Sequence, residues 1–308
     1  MKNLRILEKF PERINARLEH REHLRRTMPK NINGAALELV MEDLKLWRIG
    51  MIKVSFKGGT KALHKKIADT ASTWSTYANI KFDFGYSTRT RAYRKWKVND
   101  QSHIRIGFAE EGYWSLVGTD SKDPLIAAPG EITMNFEGFD RALPGDWQGT
   151  VLHEFGHALG FHHEHQSPAA GCDFDWDKLY QYLSGPPNYW SKAVVDHNLA
   201  ALKPQGLTYS PHDIHSIMHY SFDEWMFKAG AQSQCYTPPN HVLSAEDKAM
   251  AGNAYPFKRS AFEAIDKKRR ENLTAMIKMD RPQALRETDK THLEFLQKDT
   301  SYKKLLRD

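Results

Sequence analysis

His153, Glu154, His157, Gly160 and His163 fall in one short run of this 308-residue chain, Thr150-Val-Leu-His-Glu-Phe-Gly-His-Ala-Leu-Gly-Phe-His-His-Glu-His165. On a helix, residues four apart share a face, so His153 and His157 can offer two imidazoles to one metal ion. Glu154 sits one position round from the first histidine. It is close enough to handle a water at an open coordination position without being a ligand itself, which makes it the candidate general base. Gly160 can take a left-handed conformation that ends the helix cheaply and turns the chain back to deliver His163 as a third ligand. Three protein nitrogens leave a fourth position open, which separates a catalytic zinc site from a structural one. The chemistry expected is hydrolysis with one bound Zn2+. A histidine-rich amphipathic helix with a solvated face needs neither the His-Glu adjacency nor the placed glycine. His162 and His165 flank the third ligand and chemistry alone admits a swap, but the spacing favours His163.

The elements that must hold these residues are legible from periodicity. Met51–Phe56, Lys81–Phe84, His103–Phe108 and Glu131–Phe136 alternate as strands, and Gly58-Gly59 breaks the first. A helix is expected over Lys61–Tyr77 with Leu63, Ile67 and Trp74 on one side, and the helix of the motif begins near Asp146. Residues 1–30 read as helical, with Leu4, Leu7, Ile14 and Leu18 at helical spacing, and Ala35–Leu46 as a further helix. After Gly160 the chain turns to irregular stretches containing Pro and Asn. Mixed strands and helices before the motif and irregular chain after it predict an upper lobe on a twisted sheet, a small lower lobe, and a cleft between them. There is no internal repeat and no low-complexity tract.

At these residues the sequence resembles the metzincin clan of metallopeptidases and, within it, the astacin family. His163-Glu-His165 is similar to the astacin continuation of the motif. Ser216-Ile-Met-His-Tyr220 resembles its Met-turn, which implies Met218 as a floor under the zinc and Tyr220 as a group reaching the metal or the developing oxyanion. Gly112–Gly118 is similar to the family's edge strand, which implies that Tyr113, Trp114, Ser115, Leu116 and Val117 pair with an extended substrate. The alternative for Trp114 and Val117 is ordinary packing. Leu46–Ser55, Leu243–Lys248 and Tyr255-Pro256 resemble the first strand and the close of such a domain, and the run to Pro168 is most like bacterial-type members. The resemblance implies an α+β, two-lobed metzincin fold and a zinc metalloendopeptidase acting on peptide or protein substrates. Glu164 would anchor a hydrogen-bond network behind the zinc or serve as an ion-pair partner, and Asp213 is a candidate neighbour of the ligands. His219 is expected to point away from the metal, because alternate residues of an extended turn face opposite sides.

The chain departs from that pattern in its cysteines. Tyr113 stands where the family places one, and the chain has only Cys172 and Cys235, so neither family disulfide carries over; a bridge between these two and a pair of free thiols are both open. With no cysteine before 172, a cysteine-switch segment is excluded. An acidic residue such as Glu42 or Asp43 is a candidate cap on the zinc, against the simpler reading of two solvated charges.

Composition suits a globular enzyme, with 40% hydrophobic residues and no apolar run of about 18 residues to span a membrane. The first thirty residues lack the apolar core of a secretory signal, so the expectation is export by a signal-independent route or action in a cytoplasm. Residues 1–30 and 258–308 each carry +5; since the whole chain carries +6, residues 31–257 carry −4. No nucleic-acid role is expected of so acidic a centre, and the basic flanks read as solvated helix faces. The division expected is 1–43 as a basic helical, pro-like segment, 44–257 as the catalytic domain (upper lobe 44–163, lower lobe 164–257), and 258–308 as a basic helical tail, in a monomer. In the tail, Phe262, Ile265, Leu273, Met276 and Ile277 form one stripe, expected to pack on the domain. The alternatives are a non-proteolytic zinc-binding module, or a protein that recruits partners through its basic tails.

Overall fold

Alternation builds the sheet. In β1 (Gly50–Phe56) Ile52, Val54 and Phe56 are buried, while Met51 and Lys53 face out. The computed structural model describes residues 10–26, 45–48, 50–186, 188–202, 209–298, 302 and 306. The expected helix over Ala35–Leu46 thus falls, but for its last two residues, outside the described residues, as do Leu4, Leu7, Glu42 and Asp43.

Four more strands, β2 (Ile80–Asp83), β3 (Ile104–Gly107), β4 (Tyr113–Ser115) and β5 (Met134–Phe136), complete a five-stranded sheet in the order β2-β1-β3-β5-β4. β1 pairs in parallel with β2 and β3, and β3 with β5, whereas β4 runs antiparallel to β5 at the sheet's edge. The parallel β1–β2 pair needs a crossover. It contains α2 (Lys61–Ala71), capped where Thr60 Oγ accepts the Leu63 amide at 3.2 Å. The single helix expected to Tyr77 is divided, because α2 stops at Ala71 and a separate turn covers Trp74–Tyr77. Ser72 Oγ turns back to Ala68 O at 2.6 Å, and the Trp74 indole is drawn to Leu152 O at 3.0 Å.

That carbonyl belongs to α3 (Trp147–Ala158), buried from Val151 to Ala158. One core holds the sheet, α3 and the Ile217–Met218 turn together; Phe155 meets Phe82 edge-on at 4.9 Å. A second core, with Phe174, Leu179, Trp190, Phe222 and Phe227, belongs to the lower lobe. Among the described residues between 164 and 235 the chain is irregular apart from 3-10 turns and two short helices, α4 (Trp176–Leu183) and α5 (Lys192–Leu199), and a disulfide joins Cys172 to Cys235 across Cα atoms 5.5 Å apart. The bridge is therefore the arrangement adopted, of the two the cysteine count left open.

Both basic flanks fold back onto the protein. The helix α1 (Glu12–Arg26) carries Arg13, Arg17 and Arg21 at four-residue intervals, and they pair with Glu110, Glu131 and the Asp120–Asp123 couple. This face is not solvated as expected: Arg21 is 5% exposed, and Ile14 is buried against Leu116 and Ile126. At the other end, after α6 (Ala245–Ala254), α7 (Arg259–Lys278) and α8 (Gln283–Lys298) pack on each other. Phe262, Leu273 and Met276 are buried, with Ile265 and Ile277 partly so. Arg48 reaches from the start of β1 to Asp266 (Nη2 to Oδ2, 3.1 Å) and to Leu296 O, and stacks on the Tyr302 ring at 3.9 Å. Among the described residues no helix is long and apolar enough to cross a membrane.

Removing one member of a buried ion pair leaves a charge stranded, at a cost of about 3–5 kcal/mol. Asp266→Ala is expected to lower the thermal unfolding midpoint, with much of the loss recovered in Arg48→Met/Asp266→Leu. An unchanged midpoint in the single variant would mean that this pair does not dock the C-terminal hairpin.

Candidate functional site

The motif helix stops where it must. Gly160 has φ +101°, and a Cβ there would come within 2.8 Å of Leu46 Cδ2, so both the backbone and the space call for glycine. Gly160 N donates to His157 O at 2.8 Å and Phe161 N to Gly156 O at 3.1 Å. The last helical carbonyls, left without intrahelical partners, are met by side chains from remote segments. Trp47 Nε1 donates to Ala158 O at 2.7 Å, and Tyr255 Oη donates to Leu159 O.

Past that turn, His163 comes back beside His153 and His157. His157 Nε2 lies 3.0 Å from His153 Nε2 and 3.1 Å from His163 Nε2. His162 and His165 do not join this group. Each Nδ1 faces an oxygen: His153 to Ile217 O at 2.7 Å, His157 to Phe161 O at 2.7 Å, and His163 to Gln166 Oε1 at 3.2 Å. Gln166 Nε2 donates to His197 O and Ala200 O, which fixes the amide with Oε1 toward His163. Oxygens of this kind only accept, so each Nδ1 carries the proton and the Nε2 lone pairs converge. Burial holds all three imidazoles neutral, His153 down to about 4 and the other two well below their ordinary value. In a tetrahedral zinc site with bonds of about 2.0–2.1 Å, nitrogens stand roughly 3.3 Å apart, so this donor set fits a divalent metal ion.

The other residues expected at the site gather round it. Glu154, 2% exposed, follows His153 in α3. Tyr220 lays its ring 4.1 Å from His163 and 5.4 Å from His153. Met218, 3% exposed, lies under the helix: a Cβ on Gly156 would meet its Sδ at 2.4 Å, so Gly156 is needed for that contact. Glu164 donates its amide to Met218 O at 2.9 Å, and its Oε1 accepts the Asp213 amide at 3.0 Å. Burial raises the Glu164 carboxyl to about 7. A cavity of about 330 Å³ opens beside His163, lined in part by Glu164, Asp213, Glu246 and Lys268. His219 faces a different group, Cys172 and Cys235.

At the sheet edge, Leu116 N donates to Thr133 O, and Trp114 registers with Asn135. By antiparallel alternation, Tyr113, Ser115 and Val117 turn their main-chain groups away from β5. The Trp114 and Leu116 side chains are buried, Trp114 edge-on to Phe10 at 5.8 Å.

Two supporting residues escaped sequence reasoning, Gln166 and Asp247. Asp247 closes a capping box with Ser244 at the start of α6. It also accepts the Ile217 amide at 2.8 Å and the Ser216 hydroxyl at 2.7 Å, so one carboxylate holds the turn whose Ile217 carbonyl orients His153. The Ser-x-x-Asp pattern announced the cap, but nothing local announced the second task. Burial pushes this carboxyl up, against the pull of the bonds it accepts.

No family model matches the chain. Over 134 residues, 42% of the chain, it is 28% identical to zinc metalloproteinase nas-2 of Caenorhabditis elegans, covering 40% of that protein. Over 210 residues, 64% of the chain, it is 28% identical to zinc metalloproteinase nas-38 of the same organism, covering 25% of it. The match therefore spans 40% or less of the length of these curated relatives. Among solved structures the chain is similar to that of myroilysin, with 38% identity and a TM-score of 0.59 over 69% of this chain and 96% of that one.

Asp247→Ala would leave buried amides of Ile217 and Ser244 unpaired, at about 1–3 kcal/mol, and loosen the orientation of His153. The expected outcome is a lower unfolding midpoint together with roughly 10–100-fold weaker zinc retention, read by competition with a chromogenic chelator. Unaltered zinc retention would sink the proposed link from the α6 cap to His153.

Proposed function

The chain belongs to the astacin family of zinc metallopeptidases, and we propose that it is an endopeptidase hydrolysing peptide bonds in proteins or peptides with one zinc ion held by His153, His157 and His163. The observation that carries this reading is the convergence of three Nδ1-protonated imidazoles beside Glu154. When bound, zinc supplies Lewis acidity that brings a water's pKa toward ~7 and polarises a carbonyl.

The remaining work falls to the chain's own groups. Glu154 accepts the proton of the attacking water and passes it to the departing amine nitrogen as the C–N bond breaks. Tyr220 donates its hydroxyl hydrogen to the oxyanion that develops on the former carbonyl oxygen. An extended substrate adds as a strand beside β4, pairing with the outward main-chain groups of Tyr113, Ser115 and Val117. Main-chain pairing of this kind tolerates many sequences. Gly160 and Met218 support the ligands from the helix end and from below, and Glu164 ties the returning chain to the Met218 turn.

Glu154→Gln is expected to keep one zinc and to lose all cleavage of a diverse peptide library read by mass spectrometry. Cuts that persist in this variant would remove Glu154 from its role. A folded, zinc-loaded parent that makes no cuts would favour the non-proteolytic zinc module instead. Tyr220→Phe is expected to lower kcat by about 10²–10³-fold, and a kcat equal to the parent's would refute the oxyanion role.

A further inference from the structure

Cys172, Cys235 and His219 stand outside the site described above, yet each places one donor atom within 4.8 Å of the other two. Cys235 is fully buried and His219 is 4% exposed. His219 Nδ1 lies 2.7 Å from Tyr220 O. Because that oxygen only accepts, Nδ1 carries the proton and Nε2 keeps its lone pair. That Nε2 is buried and has no hydrogen-bond partner, a condition that costs about 1–3 kcal/mol and calls for a reason. The tautomer matches His153 and His157, where a main-chain carbonyl likewise takes the Nδ1 proton. Beside it, the His212 ring lies 5.2 Å from that of His219, and its Nε2 also has no hydrogen-bond partner.

We propose that these residues form a second, redox-gated metal site: with the disulfide reduced, Cys172 Sγ, Cys235 Sγ and His219 Nε2 bind a zinc ion. A dithiol reductant supplies two electrons and two protons. The S–S bond breaks, the reductant's own thiols become its disulfide, and Cys172 and Cys235 are left as thiols. A divalent zinc ion then displaces both thiol protons, so the ion and two thiolates together bury no net charge. Two sulfurs and an imidazole are a donor set that suits zinc, with the fourth position left to water. The oxidised chain closes the same position with the disulfide. The lower lobe would thus be pinned in an oxidising compartment by a covalent bond and in a reducing one by a metal.

The test uses the full chain, stripped of metal, reduced anaerobically with a phosphine, which with one water becomes the phosphine oxide and leaves two thiols, and titrated with Co2+. The reduced chain is expected to bind two equivalents and to develop an intense thiolate-to-cobalt charge-transfer absorption, which the three-imidazole centre has no sulfur to produce. The oxidised chain is expected to bind one equivalent without that band. His219→Ala should weaken the sulfur-dependent binding by about tenfold or more, and Cys172→Ser/Cys235→Ser should abolish the band. A reduced parent without the band, or a band equally tight in His219→Ala, overturns the proposal. If reduction unfolds the chain by circular dichroism, zinc should refold the parent but not the double serine variant, and failure of zinc to refold the parent also overturns it.

Discussion

Three imidazole nitrogens that turn their lone pairs toward one point repel one another, and here they stand 3.0 and 3.1 Å apart in a buried setting. Only a cation between them makes the arrangement favourable, so the protein has to hold it ready before any cation contributes. It does so by giving every Nδ1 proton an acceptor on a different piece of chain: Ile217 in the Met218 turn, Phe161 just past the helix stop, and Gln166 beyond the third histidine. Each acceptor is itself held. Asp247 grips Ile217, the His197 and Ala200 carbonyls grip Gln166, and the Gly160 reversal delivers Phe161.

The helix stop shows how far this demand reaches. Ending α3 at Ala158 exposes carbonyls that water cannot serve inside a core. Trp47, from the approach to β1, and Tyr255, from the end of α6, serve them instead. Trp47 in turn offers its carbonyl to Arg269 of the C-terminal hairpin. The hairpin is thereby tied to the three histidines through two hydrogen bonds and one indole, and its Lys268 also lines the cavity beside His163.

The basic N-terminal helix is similarly absorbed. Arginines spaced by four residues place their guanidinium groups on one face, and the acidic groups that meet them lie on the β3–β4 connection and the loop from β4 to β5. The +5 charge of the first thirty residues is thus partly met inside the protein, by the same acidic centre that gives residues 31–257 their −4. α1 consequently packs on Leu116, Ile126 and Ala127, in the chain that follows β4, the strand whose outward main-chain groups are proposed to meet substrate.

Local spacing was enough for much of this. The four-residue interval of His153 and His157, the glycine at 160 and the alternation of β1 to β3 and β5 each act over a few bonds, so the sequence determined the donor set, the helix that carries it and the sheet strands before the motif. The short helices α4 and α5 were not foreseen: each spans only eight residues, about two turns, too few for helical periodicity to stand out from irregular chain although Leu179 and Leu183 of α4 share one buried face. The break of the expected 61–77 helix at Ser72 depended on where the Trp74 indole finds Leu152 O. Only the tertiary structure decided that Cys172 and Cys235 are bridged, that Gln166 orients His163, that Asp247 serves a cap and a turn at once, and that the basic N-terminal helix packs inward. Those outcomes depend on contacts between residues far apart in the chain, and such contacts are set by the packing of whole elements, which no local pattern encodes.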